Sequence, residues 1–368
     1  DVTVAEVNNI ATQTGGTVTA TINEGAVSTL TGLSETGHAY TITITDTALA
    51  ANDLITLDGI TTATITIPTN AVITGTIDQT TTIRNSTVSG SSNKTFKTSA
   101  ANDLSGTAFT VSDTGVGDAD FLANLKALDD FTSGAITASS ATTFSGTASD
   151  ASSVYSSSGI TGLGGANETV TITSATSSAA DLNTINSNLN DSGTINVSSV
   201  TALTGSFSDL STFYDNRTNF TTPTNITSAT LSSGAISDAG ALQTLSNNLQ
   251  TNVNSNFAID LTNTTQITGA YSEVYSIVTG LSTSPADFSN LSGTALVATD
   301  NLTTTEANNL SAATTAAVTA TLTTNSLANF NSGLSSDSNP SGGNTYTLTL
   351  NDSSVDAGDL ASLDAKIS

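Results

Sequence analysis

Carboxylates are the reactive groups this sequence has in quantity. It holds 31 Asp and Glu against six bases, a single histidine, His38, and no cysteine. Carboxylates suit three kinds of work: paired acid–base chemistry of the glycosidase type, oxygen ligation of calcium, or satisfaction of helix N-termini. Spacing separates them. Acids fall at Asp120, Asp150, Asp181, Asp209, Asp238, Glu273 and Glu306, with successive differences of 30, 31, 28, 29, 35 and 33 by subtraction. A group that returns about once every 30 residues at the start of the same kind of element is architectural. In the pattern Ser/Thr-x-x-Asp/Glu, at Thr3/Glu6, Thr147/Asp150, Ser178/Asp181, Ser206/Asp209 and Thr303/Glu306, the hydroxyl can cap an early backbone N–H and the acid can reach back. Glu6, Asp150, Asp181, Asp209 and Glu306 are therefore expected to cap helices. No catalytic residue is assigned, and an enzyme is not expected.

Two acidic clusters, Asp118 with Asp120 and Asp129 with Asp130, are candidate calcium ligands. No Gly-Gly-x-Gly-x-Asp repeat or EF-hand loop accompanies them, so calcium is the one cofactor the residues suggest, and none is required. His38 has no second histidine or cysteine with which to build a zinc site or a triad, and a structural role is expected. The absence of tryptophan removes the usual stacking platform for sugars.

The formal net charge is −25, and the bases Arg84, Lys94, Lys97, Lys126, Arg217 and Lys366 are scattered. Neither a phosphate backbone nor an anionic membrane surface finds a basic footprint, so nucleic acid is excluded as a partner. No apolar run approaches the roughly 18 residues of a membrane span, and membrane insertion is not expected. The chain opens on Asp1 rather than Met and is expected to be processed or cut from something longer.

The elements that must position these acids are short. Apolar residues alternate at Val18/Ala20/Ile22, Ile42/Ile44, Ile65/Ile67, Phe109/Val111, Val170/Ile172, Ile195/Val197, Val318/Ala320/Leu322 and Leu348/Leu350, the pattern of strands with one buried face. Helical spacing follows, as in Leu182/Ile185/Leu189, over two to three turns that could not survive alone. A period of about 60 residues overlies the first and relates Phe121–Leu125, Leu182–Ile185 and Leu242–Leu245. Strand and short helix in alternation imply parallel strands with crossovers. Because the units resemble one another, the expected fold is an α/β solenoid of parallel strands with short helical crossovers, the alternative being an all-β solenoid. The stretch from Thr61 to Thr98 shows no helical signal and is expected to form β-only coils. Three regions are anticipated: irregular coils over residues 1–108, regular repeats over 109–334, and a last unit over 335–368. Tyr40–Asp46 and Tyr346–Asp352 match closely, and each is followed by Asp-Leu-x-x-Leu-Asp.

The outward strand positions carry Thr41/Thr43, Thr64/Thr66, Thr171/Thr173 and Thr347/Thr349. Stacked on adjacent coils they would form a hydroxyl-and-methyl array similar to the surface of ice-binding solenoids. Threonine also simply suits a solvent-facing strand.

Val197-Ser-Ser-Val-Thr-Ala-Leu-Thr-Gly205, Gly159-Ile-Thr-Gly-Leu163 and Ala179-Ala-Asp-Leu-Asn-Thr-Ile185 resemble the tandem repeats of very large secreted or cell-surface proteins of marine cyanobacteria and related marine bacteria. The resemblance covers Phe109 to Leu281 well and the flanks loosely. It implies an extracellular structural or adhesive repeat protein. The expected function is self-assembly, head to tail, into a filament, sheath or surface layer, since solenoid ends without caps invite stacking. An adhesin-type module that binds carbohydrate, calcium or ice is the alternative.

Overall fold

The computed structural model describes residues 1–87, 94–114, 120–164, 168–189, 193–336 and 343–367. Among these, thirteen α-helices follow one another: α1 (Val4–Ala11), α2 (Val27–Leu30), α3 (Ala51–Ile60), α4 (Ile77–Asn85), α5 (Phe121–Phe131), α6 (Ala148–Ser156), α7 (Ala179–Asn188), α8 (Phe207–Asp215), α9 (Ala239–Asn252), α10 (Tyr271–Gly280), α11 (Thr304–Ser311), α12 (Leu327–Gly333) and α13 (Ala357–Ile367). Between helices the chain runs through short strands, usually two, and each strand ladder described is parallel. The molecule is thus α/β, built of parallel sheets with short helices alternating with strands.

Two compact units are present, Asp1–Thr173 with Thr184–Asn196, and Ser174–Asn183 with Val197–Ser368. In the first, the strands Ala48–Ala50, Val72–Gly75, Ala108–Val111, Ile136–Thr137 and Ile160–Thr161 lie side by side in chain order, one from each successive module. Register aligns like with like: Leu49, Ile73, Phe109, Ile136 and Ile160 form one buried row. In the second unit Leu203, Ala229, Ile259 and Phe288 form a comparable buried row. Helices of 4 to 14 residues are marginal alone. They persist because their apolar stripes, such as Leu54/Leu57 or Leu122/Leu125/Leu128, are buried. Burial of one such side chain contributes about 1.5–3 kcal/mol.

The longer period coincides with a recurring close contact. Gly75 and Gly269 each stand at the residue before a helix cap and press on the helix of the preceding module. A Cβ at Gly75 would lie 2.4 Å from Ala51 Cβ, and one at Gly269 would lie 2.7 Å from Ala239 Cβ. Gly146 and Gly205 take the same place against Leu122 and Ala179. Their spacings are 71, 59 and 64 by subtraction, so the glycine recurs at every second module; the residue it meets is alanine at Gly75, Gly205 and Gly269, and Leu122 at Gly146.

The stretch from Thr61 to Thr98 is not β-only, because it contains α4. Thr82 and Ile83, expected in a strand, lie in that helix. The helix start is a capping box in which glutamine replaces the acid: Thr76 accepts from Gln79 N–H at 3.2 Å and Gln79 Oε1 accepts from Thr76 N–H at 3.0 Å. Ile77, Thr80 and Ile83 then recur every third residue on the buried side. At the far end the strand is Thr345–Thr347, and Leu350 makes only an isolated bridge with Asn325.

One segment is built twice. Residues from Val2 to Asp58 recur from Leu302 to Asp364, offset by 300 as far as Leu327 (327 − 27) and by 306 from Asn344 onward (344 − 38). The bridge Val2–Ile22 is matched by Leu302–Leu322, and the register Ala20–Tyr40, Thr21–Thr41 by Ala320–Tyr346, Thr321–Thr347. Asn8 donates to Gly32 O at 2.8 Å, and Asn308 donates to Gly333 O at 2.8 Å.

Candidate functional site

The recurring acids lie where helices begin. At α1 the Thr3 hydroxyl accepts from Glu6 N–H at 3.2 Å, and the Glu6 carboxylate accepts from Thr3 N–H at 2.8 Å. Ser206/Asp209 and Thr303/Glu306 repeat this reciprocal arrangement at α8 and α11. Thr147 caps α6 by accepting from Asp150 N–H and donates its hydroxyl to the Asp150 carboxylate at 2.7 Å. At α7 the Ser178 hydroxyl accepts from Asp181 N–H at 3.3 Å. Asp238 is itself the N-cap of α9 and accepts from Ala241 N–H at 2.8 Å. At α10 Glu273 accepts from Ala270 N–H, but alanine offers no oxygen in return.

These hydroxyl–carboxylate pairs have the separation of a nucleophile and its base, yet at Glu6, Asp209 and Glu306 the carboxylate is already engaged by the cap N–H. At Glu6, the hydrogen bonds from the Thr3 backbone and hydroxyl hold the carboxyl below its ordinary range, which weakens it as a base.

A second set of carboxylates was not legible as such in the sequence. Each reaches back from the following module to the first N–H of the preceding helix. Glu24 accepts from Val4 at 3.0 Å, Asp46 from Val27 at 2.7 Å, Asp113 from Ile77 at 2.8 Å, Asp300 from Tyr271 at 2.7 Å and Asp352 from Leu327 at 2.6 Å. Such an acid neutralises the orphan donor and the positive helix end at once, and it does so across modules. The partners are 19 to 36 residues apart, so no local motif signals them.

Of the candidate calcium ligands, Asp118 lies outside the described residues. Asp120 holds the N-cap position of α5. Asp129 accepts from the Ser157 hydroxyl of the next module at 2.7 Å, as Asp58 does from Ser86. Asp130 forms an ion pair with Lys126 at 2.6 Å. Among the described residues, no three His, Cys, Asp or Glu converge on a point where a metal could sit.

His38 is buried, and its Nδ1 accepts from Val18 N–H at 3.0 Å. Its counterpart in the second copy of the segment is Asn344, whose Oδ1 accepts from Val318 N–H at 2.9 Å. Imidazole and amide accept from equivalent backbone donors in the two copies.

The structure brings some of the outward threonines together and separates others. Thr21 pairs with Thr41, and Thr43 with Thr66, but the next residue in that row is Lys97. Thr64 is half-buried just before the strand Ile65–Ile67. Thr171 lies between Ser145 and Asn196, and Thr321 beside Thr347. Thr173 and Thr349 are exposed just beyond their strands. The longest uniform row, missed in the sequence, is Thr74–Thr110–Thr137–Thr161, in which the last two hydroxyls are 3.4 Å apart.

One buried acid stands apart. Glu168 accepts from the Tyr155 hydroxyl at 2.5 Å and from Gly164 N–H at 3.1 Å. Burial and the adjacent carboxylate push the Tyr155 phenol above its ordinary value, so that it stays a hydrogen-bond donor. Glu168 thereby ties Gly164 to Tyr155 on α6.

No helix among the described residues is long and apolar enough to cross a membrane. Compared with models of known protein families the chain matches none, and no curated protein matches it either.

Proposed function

We propose that this is an extracellular structural repeat protein, an α/β solenoid whose modules stack with modules of the same kind to build a filament, sheath or surface layer. The observation that carries the reading is the use of acids between modules: at five helix starts the first N–H is satisfied by a carboxylate from the module that follows. A chain that spends its reactive side chains on the joints between repeats is organised for extension. Strand order that advances one module at a time supports the solenoid form. The resemblance to secreted repeat proteins of marine bacteria supports the extracellular setting.

Electron microscopy with light scattering on the purified chain, across salt and with calcium or chelator, tests the reading. Regular fibres or sheets are expected, and fibres that need calcium would add a coordinating role for the acids. A monomer under all these conditions, with and without added module peptides, would overturn it. A second reading, a binding module, rests on the four-threonine row Thr74–Thr110–Thr137–Thr161. Partition of the chain into growing ice, lost on Thr110→Tyr and Thr137→Tyr, would favour that reading.

A further inference from the structure

Two of the chain's six bases meet in one cleft of the first unit. Lys97 lies on the strand Phe96–Thr98, beside Thr66 of the strand Ile65–Ile67. Phe96 and Thr98 on either side of it are buried, so Lys97 stands on the outward face of the sheet. That position normally leaves a lysine in open water, yet Lys97 is half-buried. Beside it the segment 98–103 folds back on itself. Thr98 N–H donates to Asp103 O at 3.2 Å, and the Thr98 hydroxyl accepts from Ala101 N–H at 3.0 Å. This turn and the sheet enclose two adjoining clefts that share Lys97 and Asn102. One, of about 330 Å³, is lined also by Thr64 and Lys94, and the other, of about 240 Å³, by Thr66 and residues 98–101.

The polar groups in these clefts are unspent. Among the described residues, the Lys97 ammonium, the Asn102 amide and the hydroxyls of Thr64 and Thr66 make no hydrogen bond, and no acid stands within ion-pair distance of Lys97. Threonines elsewhere in this unit close on carbonyls, as Thr61 does on Tyr40 O at 2.8 Å and Thr132 on Thr107 O at 2.7 Å. Lys94 is held in place by one bond, from its Nζ to Arg84 O at 2.9 Å, which leaves further N–H groups to donate. Asp103 feels the charge of Lys94, but its carboxylate is engaged by the Ser105 hydroxyl at 2.7 Å and the Ser105 N–H at 3.1 Å. Those two bonds, and more weakly Lys94, hold the Asp103 carboxyl below its ordinary range. One carboxylate against two ammonium groups leaves a local positive excess in a chain of net charge −25. Lysine on the last strand of a sheet also deters strand pairing. That duty requires neither a second lysine nor a walled cleft.

We propose that Lys94 and Lys97, with the Thr64 hydroxyl and the Asn102 amide, bind a tetrahedral oxyanion, a sulfate or phosphate group, free or as the ester of a small sugar. Two ammonium groups balance a dianion, and the hydroxyl and amide supply uncharged donors for its remaining oxygens. The second cleft, with Thr66 and the turn, offers room for the polar carrier of an ester. Two lysines behind a wall hold one such group and not a nucleic-acid backbone. The site goes beyond the assembly reading and does not depend on it.

Isothermal titration calorimetry on the full chain, at an ionic strength held constant with sodium chloride, supplies the test. The probes are sodium sulfate, sodium phosphate, glucose 6-sulfate, glucose 6-phosphate and glucose. One anion per chain is expected to bind, and glucose is not. Lys97→Gln and Lys94→Gln should each weaken binding by about tenfold or more, through loss of a charge-assisted hydrogen bond. Thr64→Val should weaken it by less, and Lys126→Gln, outside the clefts, should leave it unchanged. Far-UV circular dichroism checks that each variant keeps the fold. Esters that bind more tightly than the free ions would make the sugar part of the ligand, and equal affinities would assign the site to the free ion. No saturable binding of any of the four anions would overturn the proposal. So would binding that survives Lys94→Gln and Lys97→Gln together, since the anion would then sit elsewhere. Either failure leaves the assembly reading untouched.

Discussion

Gly75→Ala places one methyl group at the tightest joint between modules. The added Cβ would stand 2.4 Å from Ala51 Cβ and 2.9 Å from Gln79 Oε1. The glutamine can turn aside, although it would then release the Thr76 N–H it now holds at 3.0 Å. Ala51 cannot turn, so α3 and the strand Val72–Gly75 must separate. Overpacking of this kind costs about 1–3 kcal/mol. Restriction of the unfolded chain by replacing glycine returns about 0.4–1 kcal/mol. The net loss is then about 0–2.6 kcal/mol. Ala51→Gly alone should cost up to about 1 kcal/mol through helix propensity. Combined with Gly75→Ala it removes the opposing Cβ, so the double variant should be clearly more stable than the sum of the two losses predicts. Urea denaturation followed by far-UV circular dichroism, with amide exchange over α3 and α4 to localise the effect in a repeat architecture, measures the cycle. Additive losses would refute the steric account of this joint.

The joints between modules make further predictions. Asp46→Ala removes the acceptor for Val27 N–H and should cost about 1–2 kcal/mol by the same denaturation assay. Asp352→Ala should act likewise on α12, since its bond to Leu327 is equivalent. His38→Asn should leave stability near the parent value because Asn344 already performs that duty, whereas His38→Ala should cost about 1 kcal/mol or more through the stranded Val18 N–H. Burial raises the Asp260 carboxyl, but the hydrogen bonds from Thr262 and Asn290 outweigh it and hold the group below its ordinary value. Its contribution is therefore complete above about pH 4 and is lost as pH falls through the folded value. Asp260→Asn should flatten the acid limb of a stability–pH curve below about pH 4 without steepening it above.

Local features were legible from the residues alone. Thr3-x-x-Glu6 and Ser206-x-x-Asp209 could be read as helix starts because cap and acid lie three residues apart, within one turn. Alternation at Ile42/Ile44 or Val170/Ile172 fixes which strand face is buried, because side chains switch sides with each residue. Parallel strands with short helices followed from those two facts. The helix at Ile77–Asn85 escaped because Gln79 fills the place of the acid and a run of threonines masks the helical spacing.

Only the tertiary structure decided what one module does to the next. The acceptor for Val27 N–H is Asp46 and that for Ile77 N–H is Asp113, and nothing in their spacing marks them, since loop lengths between modules vary. The equivalence of His38 and Asn344 lies in the N–H each accepts, a relation that residue type conceals. Leu54 and Leu360 are the same residue in the same local sequence, Asp-Leu-x-x-Leu-Asp, yet one is buried and the other open. Burial is set by what packs against a surface, and that neighbour is not written in the residues that form it.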